Sequence, residues 1–400
     1  MRLLFIADGR SPTAIGWIRN LVELGHEVHL ISSFLCNPGL PLDSLTYIPV
    51  AFSGAATTSV SRLTSSKAIG PRGIRFRTAV RHWLGPWTLR ASAKRVREKI
   101  EEIQPDLVHA LRIPFEGMLA TTADPVIPLV ISIWGNDFTL HAPASKSMGK
   151  LTRQTMERAD ALHTDCFRDQ RLAHTWGFHE GRPAIVLPGG GGVRYEYFHP
   201  SVDKRDMNAT PSQLLEEIPD GIFVVVNPRG LRTYVRNDTF FQSIPLILAK
   251  ESRIIFLCPT MAGEWEAEQW LDRLNIRGYV RLLPRLTQRE MGKIFRRGQI
   301  TVSPSEHDGT PNTLLEAMTC GSYPIAGDLE SIREWIKDGS NGLLIDPSEP
   351  ESLASAVVKA LSSPEQRRQA ATDNFRMIAE RAAQPRVKVE AEAFYLQILS

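Results

Sequence analysis

Long apolar runs are missing from this chain: no segment reaches the roughly 18–20 consecutive apolar residues needed to cross a bilayer. Clustered cysteines are missing too. Cys36, Cys166, Cys258 and Cys320 are widely scattered with no CxxC pair, which argues against a zinc cluster or a disulfide scaffold and fits a reducing compartment. The opening MRLLFIADG is a strand-length apolar run ending in turn residues, without the longer core and cleavage site of a signal peptide, so a cytoplasmic location is expected. There is no DxD motif and no His/Cys group at metal spacing, so the chemistry is expected to need no metal. The glycine fingerprint of an NAD-linked enzyme is absent after the first strand. A formal charge of +3 gives no whole-chain argument for nucleic acid. One local absence is pronounced: between Asp43 and Glu98 there is no acidic residue.

That acid-free stretch holds Arg62, Lys67, Arg72, Arg75, Arg77, Arg81, Arg90, Lys94, Arg95 and Arg97 among Ile69, Ile74, Phe76, Trp83, Leu84 and Trp87. Basic residues mixed with aromatics suit an anionic membrane surface or a lipid-diphosphate acceptor, each basic residue near the surface adding about 1 kcal/mol. Nucleic acid is not expected, because no base-reading motif accompanies them. Peripheral contact with the inner face of the cell membrane through residues 62–97 is the expectation, against a merely solvated basic face.

What is present is the grammar of α/β folding. A chain of 400 residues with 42% hydrophobic content is too long for one ordinary core and implies two domains. In the first half, Leu3–Ala7, Glu27–Ser32, Leu107–Ala110, Pro128–Trp134, Ala161–Thr164 and Ala184–Leu187 read as buried strands. Amphipathic segments such as Ala14–Leu24, Ala91–Ile103 and Lys150–Ala159 lie between them, a doubly wound pattern. Residues 197–220 turn polar and proline-rich and read as a linker. The pattern then restarts, with strands expected near residues 221–226, 253–257, 280–283, 299–303, 323–326 and 342–345. The expected domains are 1–200, 201–383 and a terminal helix, 384–400, packing back on the first. Two such domains would face one another across a cleft at the carboxyl ends of both sheets.

The densest motif is Pro304–Gly321, PSEHDGTPNTLLEAMTCG. A polar turn leads to Pro311, suited to a helix start, with Asp308 and Glu316 eight residues apart and Gly321 to stop the helix. Thr310 can cap the helix, leaving the amides of Asn312 and Thr313 for an anion. Acidic side chains beside such amides suit hydroxyl-rich groups, so phosphate and hydroxyls together suggest a nucleotide sugar.

The order of landmarks along the chain resembles the family 4 retaining nucleotide-sugar glycosyltransferases, which have the GT-B fold. They are GHEV at 25–28, PDLVHA at 105–110, WGND at 134–137, ADALHTD at 159–165, YFHP at 197–200, the 304–321 motif and SIREWIKDGSNGLLIDP at 331–347. The resemblance implies two Rossmann-like domains, an N-terminal one for the acceptor and a C-terminal one for a nucleoside-diphosphate sugar, with no separate cofactor. The family's motif has two glutamates flanking seven residues, the second holding the ribose. Glu316 matches the second, whereas the first is Asp308, one methylene shorter, with Glu306 as a second candidate. Amides of Gly309, Thr310, Asn312 and Thr313, in the turn around Pro311, are implied to contact sugar and diphosphate. Of the family's arginine and lysine directed at the diphosphate, Arg229 matches the first, and Arg236 is the expected replacement for the second, with Arg232 competing.

Departures from the family bear on catalysis. Trp134 stands where many members have a histidine, and it cannot exchange a proton, which leaves Asp137 and His109 as candidates to assist the acceptor. Pro12-Thr13-Ala14 replaces the usual glycine pair of the first βα turn, with Gly9 and Gly16 bracketing it for close approach of phosphate. Gly189–Gly192 leads to no apolar helix and reads as a turn, and His26 and His29 read as structural. The implied reaction is transfer of a hexose-type sugar, with retention, to a lipid-linked, glycan or small-molecule acceptor in cell-envelope polysaccharide or glycolipid synthesis. A phosphate oxygen would take the acceptor proton. A 2-epimerase or hydrolase of the same fold, and a non-catalytic nucleotide-sugar-binding partner of a polysaccharide-assembly complex, are the alternatives.

Overall fold

The computed structural model describes residues 1–51, 53, 85–200, 215 and 217–400. Most of the acid-free stretch, from Arg62 to Leu84, lies outside the described residues, as does 201–214 of the expected linker. The chain divides into two compact units, residues 1–192 with 384–400, and residues 193–383.

Seven parallel strands form the first sheet: β1 (Arg2–Ala7), β2 (Glu27–Ser32), β3 (Ser44–Tyr47), β4 (Leu107–Leu111), β5 (Leu129–Ile133), β6 (Ala161–Thr164) and β7 (Ala184–Val186). Their order is β3-β2-β1-β4-β5-β6-β7, so the winding reverses between β1 and β4. β4 and β5 are buried at every position, because parallel strands covered on both faces are near-continuous apolar runs. The edge strand β3 was not expected: SLTY is only partly buried and has no continuous apolar run to announce it.

The second sheet contains β8 (Phe223–Val226), β9 (Ile254–Cys258), β10 (Val280–Leu282), β11 (Ile300–Ser303), β12 (Tyr323–Gly327) and β13 (Leu343–Ile345). Its order, β10-β9-β8-β11-β12-β13, repeats the plan of the first, with the reversal between β8 and β11. Each sheet is covered on both faces by apolar clusters, such as Phe240, Phe256 and Val302 on one side of the second and Leu314, Phe295 and Trp335 on the other.

The boundary falls at Gly192/Val193, earlier than the expected 200/201. Residues 193–200 after it are packed on the second unit: Val193 N–H donates to Ala382 O (2.7 Å) and Phe198 is buried against Phe295. The terminal helix Gln384–Leu399 belongs to the first unit, where Val387, Ala391, Phe394 and Tyr395 share a core with Trp17 and Leu21.

Candidate active site at the reversal point of the second sheet

In an open parallel sheet the loops leaving the two strands at the reversal diverge and open a crevice, the usual place for a ligand. Here they are 227–236 after β8 and 304–311 after β11. Val235 bridges Ser305, Arg236 N–H donates to Pro304 O (2.8 Å), and Glu306 N–H donates to Tyr234 O (2.9 Å). This clasp brings residues some eighty positions apart together: Arg229 Nη2 donates to Asp308 Oδ2 at 2.5 Å and its Nη1 to Thr313 Oγ1 at 3.4 Å. The pair is largely out of water, with side chains 6% and 14% exposed.

The three candidate arginines are held differently. Arg229 is paired with Asp308. Arg236 grips both oxygens of Asp238 (2.9 and 2.8 Å) and also donates to Glu306 Oε1 (2.8 Å), so two carboxylates neutralise it. Arg232 is exposed and donates to the Tyr234 hydroxyl (2.8 Å); among the described residues it makes no salt bridge, although the charge of Asp308 reaches it. Glu306 therefore faces Arg236, while Asp308 faces Arg229.

The helix within the motif runs Asn312–Thr319, and its N-cap residue is Pro311 (φ −67°, ψ 119°) with no side-chain cap. Thr310 does not cap it, contrary to expectation. Its Oγ1 instead accepts a hydrogen bond from Trp335 Nε1 (2.9 Å), while Ser331 Oγ donates to the carbonyl of Asp308 (2.7 Å). Ser331 and Trp335 are thus supports of the Asp308–Gly309–Thr310 turn that the sequence signalled only as part of the 331–347 landmark. The helix has no side-chain cap at its start, and its first backbone bond is Leu314 N–H to Pro311 O (3.0 Å), so the amides before it are not used within the helix.

Glu316 sits one turn further along. Its carboxylate accepts no hydrogen bond and pairs with no cation among the described residues, and removal from water pushes it up to about 8. A carboxyl group left unpartnered in such surroundings is costly unless a ligand supplies donors.

The candidates in the first unit fare differently. His109 is 0% exposed and lies in a hydrogen-bonded chain. Trp17 Nε1 donates to Tyr395 OH (2.8 Å), which meets His109 Nδ1 (2.6 Å). His109 Nε2 meets Ser132 Oγ (2.9 Å), Ser132 Oγ meets His163 Nδ1 (2.8 Å), and His163 Nε2 meets Leu187 O (2.9 Å). Indole can only donate and a carbonyl only accept, so the chain is satisfied with both imidazoles neutral. Burial, with His163 nearby, holds His109 well below its ordinary value, and burial brings His163 to about 4. His109 is therefore a core residue that no acceptor reaches.

Asp137 is likewise consumed by structure. It pairs with Arg112 (3.0 Å) and accepts from the amides of Ile113 (3.1 Å) and Trp134 (3.3 Å), tying the ends of β4 and β5 together. Burial raises its carboxyl, with Arg112 opposing. The two glycines are explained by packing: a Cβ on Gly9 would meet Cys36 Sγ at 2.4 Å, and one on Gly16 would meet Gly190 O at 2.3 Å. Gly191, at φ +79°, completes that contact, so the glycine run is a turn packed on the first helix, as expected. Trp134 packs beside Gly189. Asp165, Cys166 and Asp169 converge within 4.8 Å, but Arg168 pairs with Asp169 (2.8 Å) and supplies the positive charge there.

Two wound sheets with ligand-competent loops at a reversal point define the class, a two-domain α/β protein of the GT-B fold. Family comparison matches a Glycosyl transferase 4-like domain over residues 9–189 and Glycosyl transferases group 1 over residues 216–376. The chain belongs to the family 4-type glycosyltransferases. It is similar to D-inositol 3-phosphate glycosyltransferases from Streptosporangium roseum (23% identity over 56% of this chain and 51% of that protein) and Thermobifida fusca (25% over 74% and 70%). The chain spans about half the length of the first of these relatives. Among solved structures it resembles HepE of Anabaena in complex with UDP and glucose (TM-score 0.74, 14% identity, 98% of each chain). Sucrose-phosphate synthase of Thermosynechococcus elongatus is equally similar (TM-score 0.74, 14% identity, 100% and 99%).

Proposed function

We propose that the protein is a retaining, metal-independent glycosyltransferase moving a hexose-type sugar from a nucleoside diphosphate to a hydroxyl of a lipid-linked, glycan or small-molecule acceptor, in cell-envelope polysaccharide or glycolipid synthesis. The observation that carries this reading is the meeting of Arg229, Asp308 and a helix without a side-chain cap that bears Glu316, unpartnered among the described residues, at one sheet reversal. Guanidinium and first-turn amides suit a diphosphate, and carboxylates suit the hydroxyls of sugar and ribose. Structures of the same fold contain UDP and UDP-glucose, which favours a nucleotide-sugar donor.

In this reading Arg229 and Arg232 stabilise the charge left on the diphosphate as the glycosidic C–O bond breaks. Arg232 takes the part expected of Arg236, since it donates to a hydroxyl and makes no salt bridge among the described residues, whereas Arg236 is held by two carboxylates. Asp308 holds the sugar and Glu316 the ribose. A leaving phosphate oxygen receives the acceptor proton, so the burial of His109 and the engagement of Asp137 do not weaken the proposal. The test is turnover of a nucleotide-sugar panel in the presence of EDTA with lipid-linked and glycan acceptors, the product anomer being assigned by proton NMR. An inverted product, or loss of transfer in EDTA, overturns the corresponding part; free sugar or an epimer formed without acceptor favours the epimerase or hydrolase.

A further inference from the structure

We propose that Asp308 is an internal stand-in for the donor's phosphate, holding Arg229 until a diphosphate displaces it, so that binding the phosphate and freeing Asp308 for the sugar are one event. The inference deepens the nucleotide-sugar reading and rests on it. Four observations carry it. Arg229 and Asp308 are bonded at 2.5 Å although they leave different strands, and both loops are fixed independently of that bond: the clasp at Val235–Ser305 on one side, the Ser331 hydroxyl on the Asp308 carbonyl on the other. Arg229 also reaches Thr313 in the first turn of the helix Asn312–Thr319, so its guanidinium spans from Asp308 to the end of the helix that favours anions. Its Nε has no acceptor among the described residues, so the group is not saturated by the protein. Arg232, exposed, bonded to the Tyr234 hydroxyl and also within reach of the Asp308 charge, offers an incoming anion its first contact.

A buried cation without its carboxylate is costly, so Arg229 needs an anion at all times. Asp308 supplies one when no diphosphate is present. A diphosphate with several strong acceptors replaces it, and the released carboxylate is then free to accept hydroxyls of the transferred sugar. Competition of this kind weakens phosphate binding in the wild type, because the ligand must first displace Asp308. It also prevents Asp308 from holding free sugar firmly on its own.

Titration calorimetry of the full chain with inorganic pyrophosphate and with UDP tests this. Asp308→Asn keeps the shape and removes the competing charge, and it is expected to lower the pyrophosphate Kd about tenfold or more. Asp308→Glu, which keeps the charge, should stay within about threefold of wild type, a difference of well under 1 kcal/mol. In an Arg229→Gln background the Asp308→Asn effect should vanish, as a double-mutant cycle requires of a direct pair. An unchanged or raised Kd for Asp308→Asn, or an effect that persists without Arg229, overturns the inference. Should Asp308→Asn be too unstable for calorimetry, saturating pyrophosphate must raise its unfolding temperature more than that of wild type, and an equal rise overturns the proposal. Absence of UDP and pyrophosphate binding to both wild type and Asp308→Asn overturns the nucleotide-sugar reading as well; binding that Asp308→Asn leaves unaltered overturns this inference alone.

Discussion

Glu316 shows how far a single residue can be reasoned about from spacing and where spacing stops. Its place in the 304–321 motif marked it as a hydroxyl-binding carboxylate, but only the folded surroundings show it without a partner among the described residues and pushed up to about 8 by loss of water. Glu316→Gln should weaken donor binding by roughly 1.5–3 kcal/mol, the usual worth of a hydrogen bond to a charged group, read by calorimetry with the donor that turns over. Because ribose hydroxyls donate best to the ionised carboxylate, wild-type affinity should rise as pH climbs toward about 8 and level off above, whereas the Gln variant stays flat. Stability runs the opposite way. The folded value lies above the ordinary carboxyl value of the unfolded chain, so this group's contribution is complete below that ordinary value and is lost as pH rises through about 8. The ligand-free Gln variant should therefore gain thermal stability over wild type at pH 9 but not at pH 4; a gap that does not widen with pH contradicts the assignment.

Among the elements, most strands and helices were legible, because parallel strands are short continuous apolar runs and the helices between them carry a face of 3.6-residue period. Two elements were read differently from what folded. The strand Ser44–Tyr47 escaped because an edge strand needs apolar contact on fewer sides. The Asn312–Thr319 helix starts one residue later than a proline at its first position implies, since Thr310 is drawn away to Trp335. The terminal helix Gln384–Leu399 was legible as a helix, but not its hold on the first unit through Tyr395. Removing that hydroxyl leaves Trp17 Nε1 and His109 Nδ1 without partners in the core, so Tyr395→Phe should cost about 1–3 kcal/mol, measured by denaturant unfolding of the full chain. A cost near zero would mean that packing of the ring alone holds the helix.

At the scale of the whole molecule, no helix among the described residues is long and apolar enough to cross a membrane. Contact with a membrane surface rests on the acid-free stretch, of which Arg90 and Lys94 are exposed on the helix Leu89–Ile103, while Arg95 and Arg97 donate to backbone carbonyls. Flotation with anionic vesicles should recover the protein at low salt, and neutralising Arg62, Lys67, Arg72, Arg75, Arg77 and Arg81 should reduce it by several-fold if each contributes about 1 kcal/mol. Recovery unchanged by those substitutions would reduce the stretch to a solvated basic face.

By itself the sequence determined the two α/β domains, the family and the residues of the 304–321 motif, because apolar periodicity, turn chemistry and ordered landmarks are local and survive without a fold. Tertiary structure alone decided which of those residues face one another. Arg229 met Asp308, Arg236 was taken by Asp238 and Glu306, and Arg232 was left with the Tyr234 hydroxyl. His109 and Asp137, chemically suited to assist an acceptor, were enclosed by the packing of strands β4 and β5 and the terminal helix. The physical reason is that charge pairing and desolvation depend on distances between loops far apart in the chain, which residue order along a strand or helix does not encode.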